Sequence, residues 1–286
     1  MNVLSLFDGI SCGQIALERA GIKVANYYAS EIDKHAIKVA KKNYPNTIHL
    51  GDVRTVKAKD LPQIDLLIGG SPCQGFSFAG KQLNFEDPRS ALFFEFVRLL
   101  NECNPKYFLL ENVKMKKGFQ EAISNLLGVE PIEINSALVS AQNRRRLYWT
   151  NIQGIKQPKD KGIILADIIQ QKQPINKRLN KINQIGGIYR GEVTSGGTYG
   201  QGNRIYSTNG KGPTINAQSG GKAGNGNFLI TKDELKNYRK LTPIECERLQ
   251  TVPDNYTEGV SNTQRYKMLG NGWTVDVIAH IFSNIA

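Results

Sequence analysis

Cysteine and histidine are scarce in this 286-residue chain, and neither is grouped. Cys12, Cys73, Cys103 and Cys246 stand apart with no CxxC pair, and His35, His49 and His280 give no i, i+4 spacing. That pattern argues against a disulfide framework and against a zinc site, and no metal is expected. Long apolar runs are missing as well. No stretch approaches the roughly 20 residues of a membrane span, and MNVLSLFDGI has neither the basic start nor the cleavage site of a secretory leader. A cytoplasmic protein with no membrane partner is expected, or a nuclear one if the source is eukaryotic.

Acidic residues are the minority charge: 25 Asp and Glu stand against 37 Lys and Arg, a net +12. The excess is local. Between Gly154 and Lys240 fifteen Lys and Arg face five Asp and Glu, which points to a polyanionic partner for that segment. Fifteen of the 28 glycines also fall between Gly154 and Gly226, so turns joining short strands are expected there rather than long helices. A flexible linker would lack the interleaved Ile188, Tyr189, Tyr199, Ile205, Tyr206, Ile215 and Phe228. An ordered, loop-rich small domain is expected instead.

The flanks alternate strand and helix. VLSLF is followed by Asp8-Gly9 and a helical pattern through Ile15, Ala16, Leu17 and Ala20; VANYYAS precedes HAIKVAKKN; IDLLIGG precedes ALFFEFVRLLNEC; YFLLEN precedes GFQEAISNLLG. This order predicts a parallel sheet covered on both faces, with ligands beyond the carboxyl ends of its strands. Asp8, Glu31, Asp52, Cys73 and Glu111 then share one rim. Glu31 could accept both ribose hydroxyls of a nucleotide-like cofactor and Asp52 an adenine amino group, while the backbone of FDGISCG approaches closely. Gly9 to Gly13 also reads GxSxG, but no histidine is placed to complete a hydrolase triad.

Cys73 in GGSPCQGFS follows an apolar run, where a loop cysteine near basic residues is available as thiolate; a lone cysteine is otherwise most often a small buried hydrophobe. GGSPCQGFS, LLENV and SAQNRRRLYW, with the first turn and MLGNGWTVDVI, resemble the S-adenosyl-L-methionine-dependent DNA (cytosine-5) methyltransferases over nearly the whole chain outside about 154–236. The first turn, Trp273, FFEFVRLL and VSAQNRRRLYWTNI look closer to the animal de novo enzymes than to the bacterial modification enzymes, and a resemblance to two branches leaves the source organism open.

The resemblance implies an α/β fold: a Rossmann-like methyltransferase sheet with helices on both faces, plus a small glycine-rich, mostly β or irregular target recognition domain. It implies a catalytic and cofactor-binding domain over 1–153, the recognition domain over 154–238, and a segment over 239–286 returning to the catalytic domain, its final helix beside the first strand. Cys73 becomes the nucleophile that adds to carbon 6 of cytosine, turning carbon 5 into an enamine carbon, and Glu111 holds ring nitrogen 3 and the exocyclic amine. In AQNRRRLYW, alternation on a strand sets Arg144 and Arg146 on one side, where the resemblance has them steady the base, and Arg145 on the other as a surface or phosphate contact. Phe7, Asp8, Gly9, Ser11, Cys12, Gly13, Glu31, Ile32, Asp52, Val53, Pro72 and Leu92 would line the cofactor, with Asn271, Trp273 and Val275 returning to close the pocket; S-adenosyl-L-homocysteine is the product.

The implied partner is double-stranded DNA, held in a cleft by the basic segment and by Gln74, Ser77, Lys81, Gln82 and Arg145. The target base must be flipped out of the stack, at a cost of a few kcal/mol, and the loop from Gln74 to about Asp87, hinged at Gly75 and Gly80, would close over it. A cognate restriction endonuclease is a candidate partner, and action as a monomer is expected. RKLTPIECERLQTVP reads as a capped structural helix from Thr242-Pro243. Three other functions stay open on the residues alone: a tRNA cytosine-5 methyltransferase, a catalytically silent DNA-binding homologue, and a small-molecule methyltransferase.

Overall fold

The computed structural model describes residues 1–71, 91–170, 179–218, 220–224, 228–231, 235 and 237–285. By internal contact the chain forms two compact units. The first comprises Met1–Ile134, Arg145–Gln157 and Ile278–Ala286, and the second Asn135–Arg144 and Pro158–Val277. The return to the first unit is therefore shorter than the expected 239–286. Residues 239–277 stay in the second unit, because Leu249 and Gln250 are hydrogen-bonded there to Ser140 and Gln142.

The first unit is built on a seven-stranded sheet. Its strands are β1 (Asn2–Leu6), β2 (Asn26–Ser30), β3 (Ile48–His49), β4 (Leu66–Gly69), β5 (Tyr107–Val113), β6 (Ile132–Asn135) and, after a two-residue β7 (Gln142–Asn143) that pairs elsewhere, β8 (Arg145–Thr150). The order is β3-β2-β1-β4-β5-β8-β6. β1 to β5 pair in parallel, and their near-continuous Val, Leu and Ile content suits strands covered on both faces. β8 runs antiparallel to β5, so the sheet is mixed rather than wholly parallel. The order reverses between β1 and β4, and the crevice beyond their carboxyl ends is where such sheets take ligands.

Helices α1 (Cys12–Arg19), α2 (Lys34–Asn43), α3 (Ala91–Cys103) and α4 (Lys117–Leu127) follow β1, β2, β4 and β5. α3 buries Phe93, Phe96 and Leu99, one face of a 3.6-residue period, in a core with Leu4, Leu67, Leu110 and Trp149. The Trp149 indole N–H donates to the Ser124 hydroxyl at 3.0 Å, so the largest core side chain has its polar atom satisfied. Asp33 caps α2, accepting from the His35 N–H at 2.9 Å, while Lys41 and Lys42 occupy its last turn, where the helix dipole favours cations.

The second unit holds the short helix α5 (Leu165–Ile168) and a five-stranded sheet ordered β10-β9-β11-β13-β14, from β9 (Gln184–Tyr189), β10 (Glu192–Thr194), β11 (Arg204–Ser207), β13 (Leu229–Thr231) and β14 (Arg239–Lys240); β12 (Gly212–Pro213) pairs with β7. The described residues of the glycine-rich segment are sheet, turn and bend. Ile188, Ile205, Ala223 and Leu229 form its core. Gly187 explains the glycine pair in QIGGIY: the Tyr199 ring lies where a β-carbon would stand, and the Tyr199 hydroxyl donates to the Thr194 and Gly196 carbonyls.

Helices α6 (Pro243–Leu249), α7 (Asn262–Asn271) and α8 (Val275–Phe282) complete the chain. α6 begins with Thr242 and Glu245 in a reciprocal capping box and proline in its first turn, as its sequence predicts. Glu247, fully buried, accepts from the N–H groups of Asn255 and Thr257 and from Arg265 at 2.9 Å. Among the described residues no helix is long and apolar enough to cross a membrane.

Candidate active site

The turn after β1 is bent into an unusual backbone. Phe7 and Ser11 have φ of 58° and 60°, a left-handed region that costs non-glycine residues about 1 kcal/mol or more. The strain is held by hydrogen bonds to the end of β2. The Asp8 N–H donates to the Ser30 carbonyl at 3.1 Å, and the Gly9 N–H to Glu31 Oε2 at 2.8 Å. Glu31 Oε1 accepts the N–H groups of Ile32 and Asp33, each at 2.8 Å. The carboxylate is thereby aimed by three backbone donors, with lone pairs remaining for a ligand. Beside it Ile32 is 72% exposed, presenting an apolar side chain at the surface next to the oriented carboxylate.

Asp8 turns inward. Its Oδ1 accepts the Tyr27 hydroxyl at 2.7 Å and its Oδ2 the Ser11 hydroxyl. Burial pushes its carboxyl up to about 6 despite these bonds, and the nearby Glu31 charge adds to the rise. A carboxyl whose folded value lies above its unfolded one stabilises the fold below the unfolded value of about 4, and that contribution is lost as pH rises through about 6. Relative to Asp8→Asn, the wild-type protein is therefore expected to lose on the order of 2 kcal/mol of unfolding free energy between pH 4 and pH 7. Denaturant titrations of both proteins across that range check this; parallel profiles would contradict it.

Asp52 is committed differently from the expectation. Its carboxylate accepts the Arg54 Nε–H at 3.0 Å and caps the Arg54 N–H at 3.0 Å, and these bonds hold it down at about 2. An adenine amino group would share this carboxylate with Arg54. Of the other expected cofactor residues in the first unit, Cys12 and Gly13 are buried at the start of α1, Val53 is buried behind Asp52, and Leu92 is half-buried on α3 against the core. Asn271, Trp273 and Val275 belong to the second unit: Asn271 is exposed at the end of α7, Trp273 half-buried, and Val275 buried at the start of α8.

Glu111 lies inside β5 rather than beyond its end, because pairing with β8 extends β5 to Val113. Its partner in register is Tyr148, and Val113 faces Arg146, so Glu111 and Arg146 are diagonal neighbours on one face. Arg146 Nε lies 3.0 Å from Glu111 Oε1, with only 14% and 11% of the two side chains exposed. On the opposite face of β5, the buried Asn112 donates to the Ser71 hydroxyl at 3.2 Å and accepts the Val113 N–H at 2.8 Å. Asn112, Ser71 and Tyr27 were not among the expected site residues. The signal for Asn112 was a second polar residue in the otherwise apolar run YFLLENV.

The three consecutive arginines part company. Arg145 is exposed and paired with Glu133 at 2.8 Å. Arg144 is not on β8; it lies between β7 and β8 and groups with the second unit, where it is 3% exposed and bonded to backbone carbonyls. Alternation cannot be carried from Arg146 to Arg144, because the chain leaves one sheet for another between them. Pro72, Cys73, Gln74, Ser77, Lys81 and Gln82, with the closing loop, lie outside the described residues.

The family described as C-5 cytosine-specific DNA methylase matches over residues 1–286. This chain belongs to that family. By family it is a DNA (cytosine-5-)-methyltransferase. It is 35% identical to the type II methyltransferase M1.ScrFI of Lactococcus lactis subsp. cremoris, over 97% of this chain and 76% of that one. It is 31% identical to the type II methyltransferase M.HhaI of Haemophilus parahaemolyticus, over 100% of this chain and 94% of that one. Among solved structures, the Entamoeba histolytica methyltransferase EhMeth superposes with a TM-score of 0.76 at 18% identity, covering 99% of this chain and 97% of that one, and shares the fold. The family uses S-adenosyl-L-methionine as methyl donor. The residues at the ends of β1 and β2 fit it: Glu31 presents oriented acceptors for two ribose hydroxyls, and exposed Ile32 an apolar cover for an adenine ring.

Proposed function

We propose that this methyltransferase modifies carbon 5 of a cytosine flipped out of duplex DNA at a specific sequence, through a covalent adduct of Cys73. The observation that carries the reading is the Glu111–Arg146 pair, a carboxyl held by a guanidinium at 3.0 Å on adjacent strands. The Asn112–Ser71 bond supports it, since it anchors the residue two before Cys73 to the same strand.

The Cys73 thiolate forms a bond to carbon 6, and the displaced electron pair is taken up by the ring as Glu111 protonates or hydrogen-bonds nitrogen 3. Arg146 fixes the Glu111 carboxyl for that contact. S-adenosyl-L-methionine, when bound, supplies an electrophilic methyl group for carbon 5. Loss of the carbon 5 proton to a base and of the thiolate from carbon 6 then restores the aromatic ring and frees the enzyme. Glu31 and Ile32 hold the ribose and adenine.

Residues 154–238 would supply phosphate contacts and base readout, in keeping with the fifteen basic against five acidic residues between Gly154 and Lys240. A restriction endonuclease of matching specificity is the partner this reading expects, with the methyltransferase acting as a monomer. The test is incubation with tritiated S-adenosyl-L-methionine and duplex DNA carrying 5-fluorocytosine, from which fluorine cannot leave as a cation. A protein–DNA adduct stable to denaturation is expected. Adduct with RNA alone would move the substrate class to RNA, and none with a folded, cofactor-binding protein on any duplex or RNA would favour a silent homologue.

A further inference from the structure

Two hydroxyl groups converge on Asp8 from different elements, and the residues that carry them are buried. Tyr27, on β2 and paired with Val3 in the β1–β2 register, donates to Asp8 Oδ1 at 2.7 Å and is 3% exposed. Ser11, wholly buried, donates to Asp8 Oδ2. Ser11 stands at the N-cap of α1, where a serine hydroxyl ordinarily accepts a helix N–H, yet no such bond forms and its φ is 60°. Its hydroxyl goes to Asp8 instead. The Asp8 carbonyl also accepts the Ser11 N–H at 3.1 Å, so Asp8 closes the turn through both its side chain and its main chain. Between these two residues lies Gly9, itself at φ 60°, whose N–H reaches Glu31.

We propose that Tyr27 is a positioning residue for the cofactor: through Asp8 it holds the 7–11 turn in the left-handed backbone from which the Gly9 N–H aims the Glu31 carboxylate at the ribose. The inference rests on the role proposed above for Glu31. Phe7 and Ser11 are non-glycine residues at positive φ, a conformation that persists only where the surroundings over-determine it. Removing the Tyr27 hydroxyl withdraws a donor from a desolvated carboxyl and lets the cofactor-free turn populate relaxed conformers. A ligand must then select the competent one, and its apparent affinity falls with the competent fraction. Tyr27 is too deeply buried to touch the ligand itself, so its effect runs through the turn.

Tyr27→Phe is expected to raise the dissociation constant of S-adenosyl-L-homocysteine about threefold to tenfold, the reach of one hydrogen bond. KM for S-adenosyl-L-methionine rises with it, while kcat at saturation stays within about twofold of wild type. Amide hydrogen exchange of the cofactor-free protein gives a readout independent of turnover: the Gly9 N–H exchanges faster in Tyr27→Phe, whereas Leu4 and Leu6 of β1 keep wild-type protection. Because Tyr27 acts through Glu31, Glu31→Ala and the double variant are expected to bind the homocysteine product equally weakly. Ser11→Ala, which removes the other hydroxyl from Asp8, carries the same test if Tyr27→Phe does not fold. Unaltered homocysteine affinity in a folded Tyr27→Phe protein, or a loss that adds in full to that of Glu31→Ala, overturns the positioning role. A Glu31→Ala protein that binds the product as wild type does overturns the ribose role of Glu31 instead.

Discussion

Replacing Cys73 by serine is expected to lower turnover by about four orders of magnitude or more, leaving DNA and cofactor affinities within about threefold of wild type. A hydroxyl is far less acidic than a thiol with its ordinary value near 8.5, so at neutral pH the serine protein holds almost no anion to add to carbon 6. Oxygen is also the less polarizable nucleophile. Binding survives because cofactor and phosphate contacts come from other residues. Single-turnover methyl transfer, with equilibrium binding measured separately, checks the split. A folded Cys73→Ser protein that no longer binds DNA would contradict the assigned role.

Glu111→Gln is expected to slow the chemical step about 10²- to 10⁴-fold, the usual reach of a positioned general acid or base, while changing affinity far less. The amide cannot deliver a proton to ring nitrogen 3, and Arg146, 3.0 Å away in a largely buried pair, loses the charge it holds. Comparable losses in rate and in affinity would mark Glu111 as a structural carboxylate. The two substitutions also report on different moments: loss at Cys73 blocks adduct formation outright, whereas loss at Glu111 permits slow accumulation on 5-fluorocytosine DNA.

The parts of this fold that are written in short-range pattern were legible. ALFFEFVRLLNEC is α3 residue for residue, and Thr242-Pro243 with Glu245 marks the start of α6, because capping and 3.6-residue spacing are local physics. The ends of β1 and β2, with Asp8 and Glu31, were placed from the same logic. Arg144 was not legible in this way. Its neighbours in sequence form a strand, yet the partner that sets its surroundings is β12, some seventy residues on, and a pairing of that range leaves no period to read. Tyr27 and Asn112 were missed for a related reason: each acts across a strand, on Asp8 and Ser71, and cross-strand register is fixed by the sheet rather than by spacing along the chain.

The interleaving of the two units has a consequence for synthesis. The first unit draws its last piece from Ile278–Ala286, and Ile278, Ile281 and Phe282 are wholly buried. A ribosome delivering this chain from its N-terminus therefore releases the Glu111–Arg146 strands long before the residues that finish their unit. Until those arrive, the apolar surface meant for them is open to water, to chaperones and to neighbouring nascent chains.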